Sequence, residues 1–340
     1  MAAALLGHLT SGLQLGGEAL GHRTPLKSIV RGMEHAPIPT FLEAIQSIEE
    51  AGIIPEVTDY AEITYQQASD EKGPGGSLQD DPMDVEGIAA VMKYCEEDTL
   101  PPLYRDMNAK CFERNRTSAQ PYAKFLWLLL KALSVLEPYP DETVFRGVKA
   151  DIHDAYPKDK EFTWQSCSST TKSIEVLENE MFLGKNGPRT IFMIRLTQGQ
   201  ARDITRYSPL FEEEVLLPPG CRFKVAGVLG PSADGLTIVQ LTELPSKEWL
   251  LDLSKPSTPR PSALRPSAPA PAPAPAPAPS QVARRILAVG ADHAAITSRG
   301  NIHLWGNDRH GQCSQKPDLP EETWVAVALG SDHSAAITSG

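Results

Sequence analysis

Apolar residues repeat at helical spacing up to Leu136, then alternate or run in short blocks beyond it. In "TFLEAIQSIEEAGI", Phe41, Leu42, Ile45 and Ile48 fall on one helical face, with Thr40 placed as an N-cap. The polar, Gly/Pro-rich stretch Ala68 to Asp84 reads as an exposed loop. Three helical segments follow: Val85 to Glu97, Leu103 to Arg116 and Pro121 to Leu136. The third holds "FLWLLLKALSVL", where Trp127 and its leucines fit a helix core, and it stops before Pro138 and Pro140.

From Thr143 the texture becomes β-branched and aromatic. "TVFRGVK", "EFTWQSCSSTT", "RTIFMIRL", "EEEVLLPPG", "CRFKVAGVLG" and "LTIVQLTEL" read as short strands separated by turn signals. Helices first and strands afterwards predict an α+β domain over residues 36–253. Residues 1–35 form an N-terminal extension whose folding the pattern leaves open. Residues 254–282 carry "TPRPSALRPSAPAPAPAPAPAPS", which favours extended polyproline II and reads as a semi-rigid linker. Over 283–340, Asp292-His293 recurs as Asp332-His333, a period of about forty residues that suits a propeller-type repeat.

Composition narrows the function classes. The 340 residues carry a net charge of -11, which argues against nucleic-acid binding by the whole chain and suits a cationic partner. Five cysteines, Cys95, Cys111, Cys167, Cys221 and Cys313, show no metal-site spacing and read as free thiols in a reducing compartment. No metal is expected. The N-terminus lacks a basic n-region, and the most apolar run is too short to span a bilayer, so neither signal peptide nor membrane span is predicted and a cytoplasmic protein is the default.

Three glutamates in "FEEEVLLPPG" stand at the mouth of an apolar strand. In an extended segment residues two apart share a side, so Glu212 and Glu214 face one pocket and Glu213 faces away. Upstream lie Arg146 in "TVFRGVK" and the hydroxyl block of Ser166, Ser168, Ser169, Thr170 and Thr171. This order of Arg, Ser and Glu-x-Glu resembles the arginine-specific mono-ADP-ribosyltransferases over about Ile38 to Leu250. Ser169-Thr170-Thr171 aligns best with the family's Ser-Thr-Ser strand, in a register open by one residue. Cys167 stands where the family often has an aromatic, and Thr171 replaces the last serine.

The resemblance implies an ADP-ribosyltransferase-like fold, with an N-terminal helical lobe followed by a two-sheet β core around an NAD cleft. It implies NAD as substrate and a protein acceptor with an exposed arginine. By resemblance Arg146 grips the pyrophosphate, for which a rigid guanidinium fork suits better than an ammonium. Gly147 lets the backbone approach the ligand, while Ser169 and Thr170 hold the nicotinamide-side ribose and the catalytic glutamate in register. Glu214 stabilises the positive charge at the ribose C1, and Glu212 orients the acceptor guanidinium. The residues leave open an NAD glycohydrolase, in which water is the acceptor, and an inactive interaction module on the same fold. "GNIHLWGNDRHGQC" resembles the regulator-of-chromosome-condensation-type propeller repeat, with Gly306, Gly311 and Gln312 carrying the match. A protein partner through these incomplete repeats is a further expectation.

Overall fold

Thr40 opens the first helix with a reciprocal cap. Its hydroxyl accepts from the Glu43 amide at 3.3 Å, and the Glu43 carboxylate accepts from the Thr40 amide at 2.8 Å. In the computed structural model, residues 24–178, 183–208 and 213–254 are described in full, and 287–289, 293–298, 301–306, 323–329 and 334–339 as strand backbone. Contacts divide the chain into residues 1–263 and 264–340, two compact units.

The first unit begins with a helical lobe. Helix α1 (Phe41–Glu50) and helix α2 (Val57–Lys72) precede α3 (Val85–Cys95), α4 (Leu103–Phe112) and α5 (Ala123–Leu133), with a 3-10 turn at Arg116–Tyr122. Helix α3 buries every residue from Gly87 to Cys95, so it runs through the middle of the lobe. Residues 24–35 belong to this lobe, because Leu26, Ile29 and Val30 are buried in its core. These residues are the end of the N-terminal extension whose folding the sequence pattern leaves open. The stretch expected as an exposed loop from Ala68 is also different. Its first residues complete α2, and Leu78, Asp81 and Met83 are buried.

The strands are β1 (Thr143–Val148), β2 (Glu161–Thr163), β3 (Ser168–Thr171), β4 (Arg189–Arg195), β5 (Arg202–Asp203), β6 (Glu214–Leu217), β7 (Arg222–Leu229) and β8 (Leu236–Leu244). They form one sheet in the order β2-β7-β8-β4-β1-β3-β6-β5. Among the described strands, only β4 and β8 pair in parallel. The two sheets expected from sequence are therefore one, but the join is narrow. Strand β1 pairs with β4 along six residues, from Thr143↔Arg195 to Val148↔Thr190, and with β3 only at Phe145↔Thr171.

Strand β6 separates two cores. Leu216 packs in the helical core, whereas Val215 and Leu217 pack with Trp164, Phe192 and Phe223 behind the sheet. This is the two-residue alternation of a strand buried on both faces.

In the second unit, β9 (Leu287–Val289), β10 (His293–Ser298) and β11 (Asn301–Gly306) form a three-stranded antiparallel sheet. Strands β12 (Thr323–Leu329) and β13 (Ser334–Ser339) form an antiparallel pair. Asp292, Gly311, Gln312, Asp332 and His333 of the repeat motif lie outside the described residues, as do Cys313 and residues 255–282 of the expected linker.

Candidate active site

The site grows from the narrow join of the sheet. Arg146 follows Phe145, the one β1 residue paired with β3, and its Nη1 donates to the Ser169 carbonyl at 2.9 Å. Strand β6 runs antiparallel to β3, with Thr171 opposite Glu214 and Ser169 opposite Leu216. Ser169, Thr171, Glu214 and Leu216 therefore share one face of these strands, the one that meets the helical core.

The last turn of α3 packs against that face. The Cys95 thiol lies 3.9 Å from Glu214 Oε2, at the outer limit for a sulfur hydrogen bond. Beside it, the Tyr94 phenol accepts from Asn108 Nδ2 at 3.3 Å. Arg146 also stacks over Trp164, its Cζ 5.7 Å from the ring centroid.

Burial dominates the electrostatics here. Arg146 is 3% exposed, and desolvation lowers its pKa, opposed by Tyr94, Tyr156, Glu214 and Tyr104. Burial raises the Tyr94 pKa well above its ordinary value, with the Cys167 field adding and the Asn108 and Ser169 hydrogen bonds opposing. Tyr156 is pushed up to about 12 by burial, against the Trp164 hydrogen bond and the Arg146 charge. Arg146 is thus a buried cation among phenols, with the Glu214 carboxylate acting on it as a field. An anionic ligand would relieve its desolvation, so this donor fits the pyrophosphate of NAD.

The predicted residues divide into those brought together and those not. Arg146, Ser169 and Glu214 converge, all three buried. Thr170 points to the opposite face, and its hydroxyl donates to the Val215 carbonyl at 2.6 Å. The open side of Gly147 is filled by protein, since a Cβ there would meet Leu183 Cβ at 3.2 Å and Leu177 Cδ2 at 3.3 Å. Its lack of a side chain serves the packing of those leucines rather than the approach of a ligand. Glu213, just ahead of β6, is exposed, and Glu212 lies outside the described residues.

Tyr94, Cys95, Asn108 and Trp164 join the site without having been singled out from sequence. Tyr94 and Asn108 sit within segments read from sequence only as helices, and no spacing connects Cys95 to Glu214. Among the described residues there is no group of three or more His, Cys, Asp or Glu side chains able to hold a metal, and no helix long and apolar enough to cross a membrane.

Several solved structures are similar to the chain at low identity. The eukaryotic mono-ADP-ribosyltransferase ART2.2 is 19% identical, covering 66% of this chain and 94% of its own, with a TM-score of 0.47. The type III effector XopAI from Xanthomonas axonopodis pv. citri is 19% identical, covering 65% and 95%, at 0.45. The Vis toxin, an ADP-ribosyltransferase from Vibrio splendidus, is 18% identical, covering 56% and 85%, at 0.39. No curated protein matches the chain significantly. The family model of NAD:arginine ADP-ribosyltransferases matches residues 56–248, more than half of the chain and the span that holds Arg146, Ser169 and Glu214. The chain belongs to this family of NAD-dependent ADP-ribosyltransferases.

Proposed function

We propose that this chain transfers ADP-ribose from NAD to an arginine side chain of a protein acceptor and releases nicotinamide. One observation carries the reading: Ser169 and Glu214 share a buried strand face, and Arg146 is tied to the same strand by its 2.9 Å bond to the Ser169 carbonyl.

Glu214 is assigned the place beside C1 of the nicotinamide-side ribose. When the C1–N bond breaks, its electron pair leaves with the nicotinamide ring. Positive charge then develops on C1 and the ring oxygen, where a fixed carboxylate stabilises it. Cys95 and Leu216 keep the surroundings of that carboxylate poor in water, which strengthens its field. Ser169, opposite Leu216 on the face it shares with Glu214, is assigned to fix the register of ribose and carboxylate. A guanidine nitrogen of the acceptor attacks C1 and loses one proton. Glu212 is assigned to orient that guanidinium and accept the proton, on its two-residue spacing from Glu214 and the family resemblance. The net charge of -11 suits a cationic acceptor.

Labelled NAD, incubated with and without agmatine as a guanidine acceptor, tests this. The parent protein should release nicotinamide and form ADP-ribosyl-agmatine. Glu214→Gln should lower both by about 100-fold or more. Glu212→Gln should lose transfer while retaining some NAD cleavage. Parent-like transfer by Glu214→Gln would refute the assignment. Free ADP-ribose as the sole product in the presence of agmatine would make the protein an NAD glycohydrolase.

A further inference from the structure

Asp81 lies between α2 and α3, in the stretch whose polarity suggested an exposed loop, yet it is buried. A buried carboxylate persists in a fold where donors surround it. Oδ1 accepts from the Met83 amide at 2.9 Å. Oδ2 accepts from the Tyr207 phenol at 2.7 Å and pairs with Arg206 Nη1 at 3.1 Å. Tyr207 stands 126 positions further along the chain, so the contact ties the helical lobe to the end of the sheet. Asp81 is also fixed from its own side. Lys72, the last residue of α2, donates from Nζ to the carbonyls of Gln79 and Asp81, and the Leu78 amide donates to the Glu71 carbonyl at 2.9 Å. Arg206 Nη2 adds a bond to the Ser77 carbonyl at 3.3 Å. Burial, and next the Asp81 hydrogen bond, raise the Tyr207 pKa, so the phenol remains a donor at neutral pH.

Arg206 and Tyr207 belong to a 3-10 turn, Thr205–Tyr207, between β5 and the glutamates. The start of this turn is tied to the sheet. Asp203 Oδ1 accepts from the Thr205 amide at 3.0 Å, and Lys172 Nζ donates to Asp203 Oδ2 at 2.6 Å. The Ile204 amide donates to the Glu214 carbonyl at 3.0 Å, so the base of the turn lies beside the strand that begins with Glu214. The end of the turn is tied to the lobe through Asp81. Glu214 has its own support in β3, where it lies opposite Thr171. In sequence, Glu212 falls between these two fixed points, Tyr207 and Glu214.

We propose that Asp81 is a positioning residue for the acceptor step, an inference that rests on the transferase reading above. By holding Tyr207 and Arg206 against the lobe, its carboxylate sets where the chain that bears Glu212 begins. A guanidine nitrogen has to meet C1 in a defined line, and small misplacements of such a pair cost rate steeply. Water is small and abundant and tolerates looser positioning. Loss of the Asp81 contact therefore diverts ADP-ribose from the guanidine to water. NAD binding, assigned to Arg146 on β1, does not run through this contact.

Two variants test this in the full-length protein. Asp81→Asn keeps an oxygen for the Met83 amide but removes the charge that pairs with Arg206. Tyr207→Phe removes one hydroxyl and leaves Asp81 its other two donors. Parent and variants are given labelled NAD with saturating agmatine, and ADP-ribosyl-agmatine and free ADP-ribose are measured separately. Each variant should lower the ratio of transfer to hydrolysis about tenfold, with an NAD KM within about twofold of the parent's. A parent-like ratio in either folded variant would overturn the proposal. An equal fall of both products would overturn it too, because a general loss of packing has that effect. If near-UV circular dichroism shows Asp81→Asn unfolded, Tyr207→Phe decides alone. A parent that itself yields only free ADP-ribose would overturn the transferase reading and this inference with it. A parent that transfers, with variants that match it, overturns this inference alone.

Discussion

At position 146 two demands meet in one side chain. Nη1 holds the Ser169 carbonyl at 2.9 Å, while the guanidinium lies over Trp164. Lysine has one nitrogen and no planar fork, so it cannot keep the strand contact and also offer paired donors to a pyrophosphate. Arg146→Lys should raise the NAD KM by about tenfold or more, through the lost bidentate contact. NAD titration of purified protein checks this, with near-UV circular dichroism confirming the fold. A KM equal to the parent's would remove Arg146 from NAD binding. The order Arg146, Ser169, Glu214 was legible in sequence because each lies in a short strand and carries distinctive chemistry. Tyr94 and Cys95 were not legible. They lie inside a helix buried on every side, and Cys95 meets Glu214 only through tertiary packing across 119 positions. Thr170 and Gly147 show the reverse limit. The resemblance implied a site role, but strand alternation turns Thr170 away and Leu183 covers Gly147.

Between elements, a buried arginine closes the join of lobe and sheet. Arg202 on β5 donates from Nε to the Leu133 carbonyl at 3.0 Å, at the C-terminal end of α5. It also bonds the carbonyls of Gly199, Ala201 and Leu253. One guanidinium thus satisfies a helix end, its own strand and the chain's exit from the domain. Burial lowers its pKa to about 10, so it stays charged at neutral pH. Arg202→Met would fill the space but orphan these carbonyls, at a cost on the order of 3 kcal/mol. Thermal melts should then show a loss of about 6–12 °C for a domain of this size; a loss under about 2 °C would show that water replaces the guanidinium. Most elements could be read from periodicity, yet α2 escaped. Its buried stripe is Val57, Ala61, Thr64 and Ala68, which is helically spaced but too small and polar to register as a core face. Pairing was harder still. The parallel contact of β4 with β8 and the single link of β1 to β3 depend on how distant strands meet, and no local pattern encodes that.

For the molecule as a whole, the raised pKa values of Glu96, Glu243 and His153 all act in one direction. Glu96 is pushed up from 4.5 to about 7, chiefly by burial; Lys93, 3.2 Å away, and the Thr64 hydrogen bond oppose the rise, and Asp98 adds to it. Burial also raises Glu243, and Asp151 raises His153. A folded pKa above the unfolded one contributes stability that is full below the unfolded value and lost as pH climbs through the folded value. The depressed carboxylates Glu113, Asp203 and Asp234 work the other way, but theirs is lost only as pH falls through the acid range. The net charge of -11 adds self-repulsion as histidines lose their protons. Stability should therefore decline steadily from about pH 5 to about pH 8, with Glu96 contributing up to ~3 kcal/mol. Glu96→Gln keeps the shape and the Thr64 contact but removes the titration. Melts of parent and variant across this range should show a clearly flatter dependence in the variant. Identical slopes would place the pH sensitivity elsewhere and would mean that Glu96 is ionised throughout, balanced by Lys93.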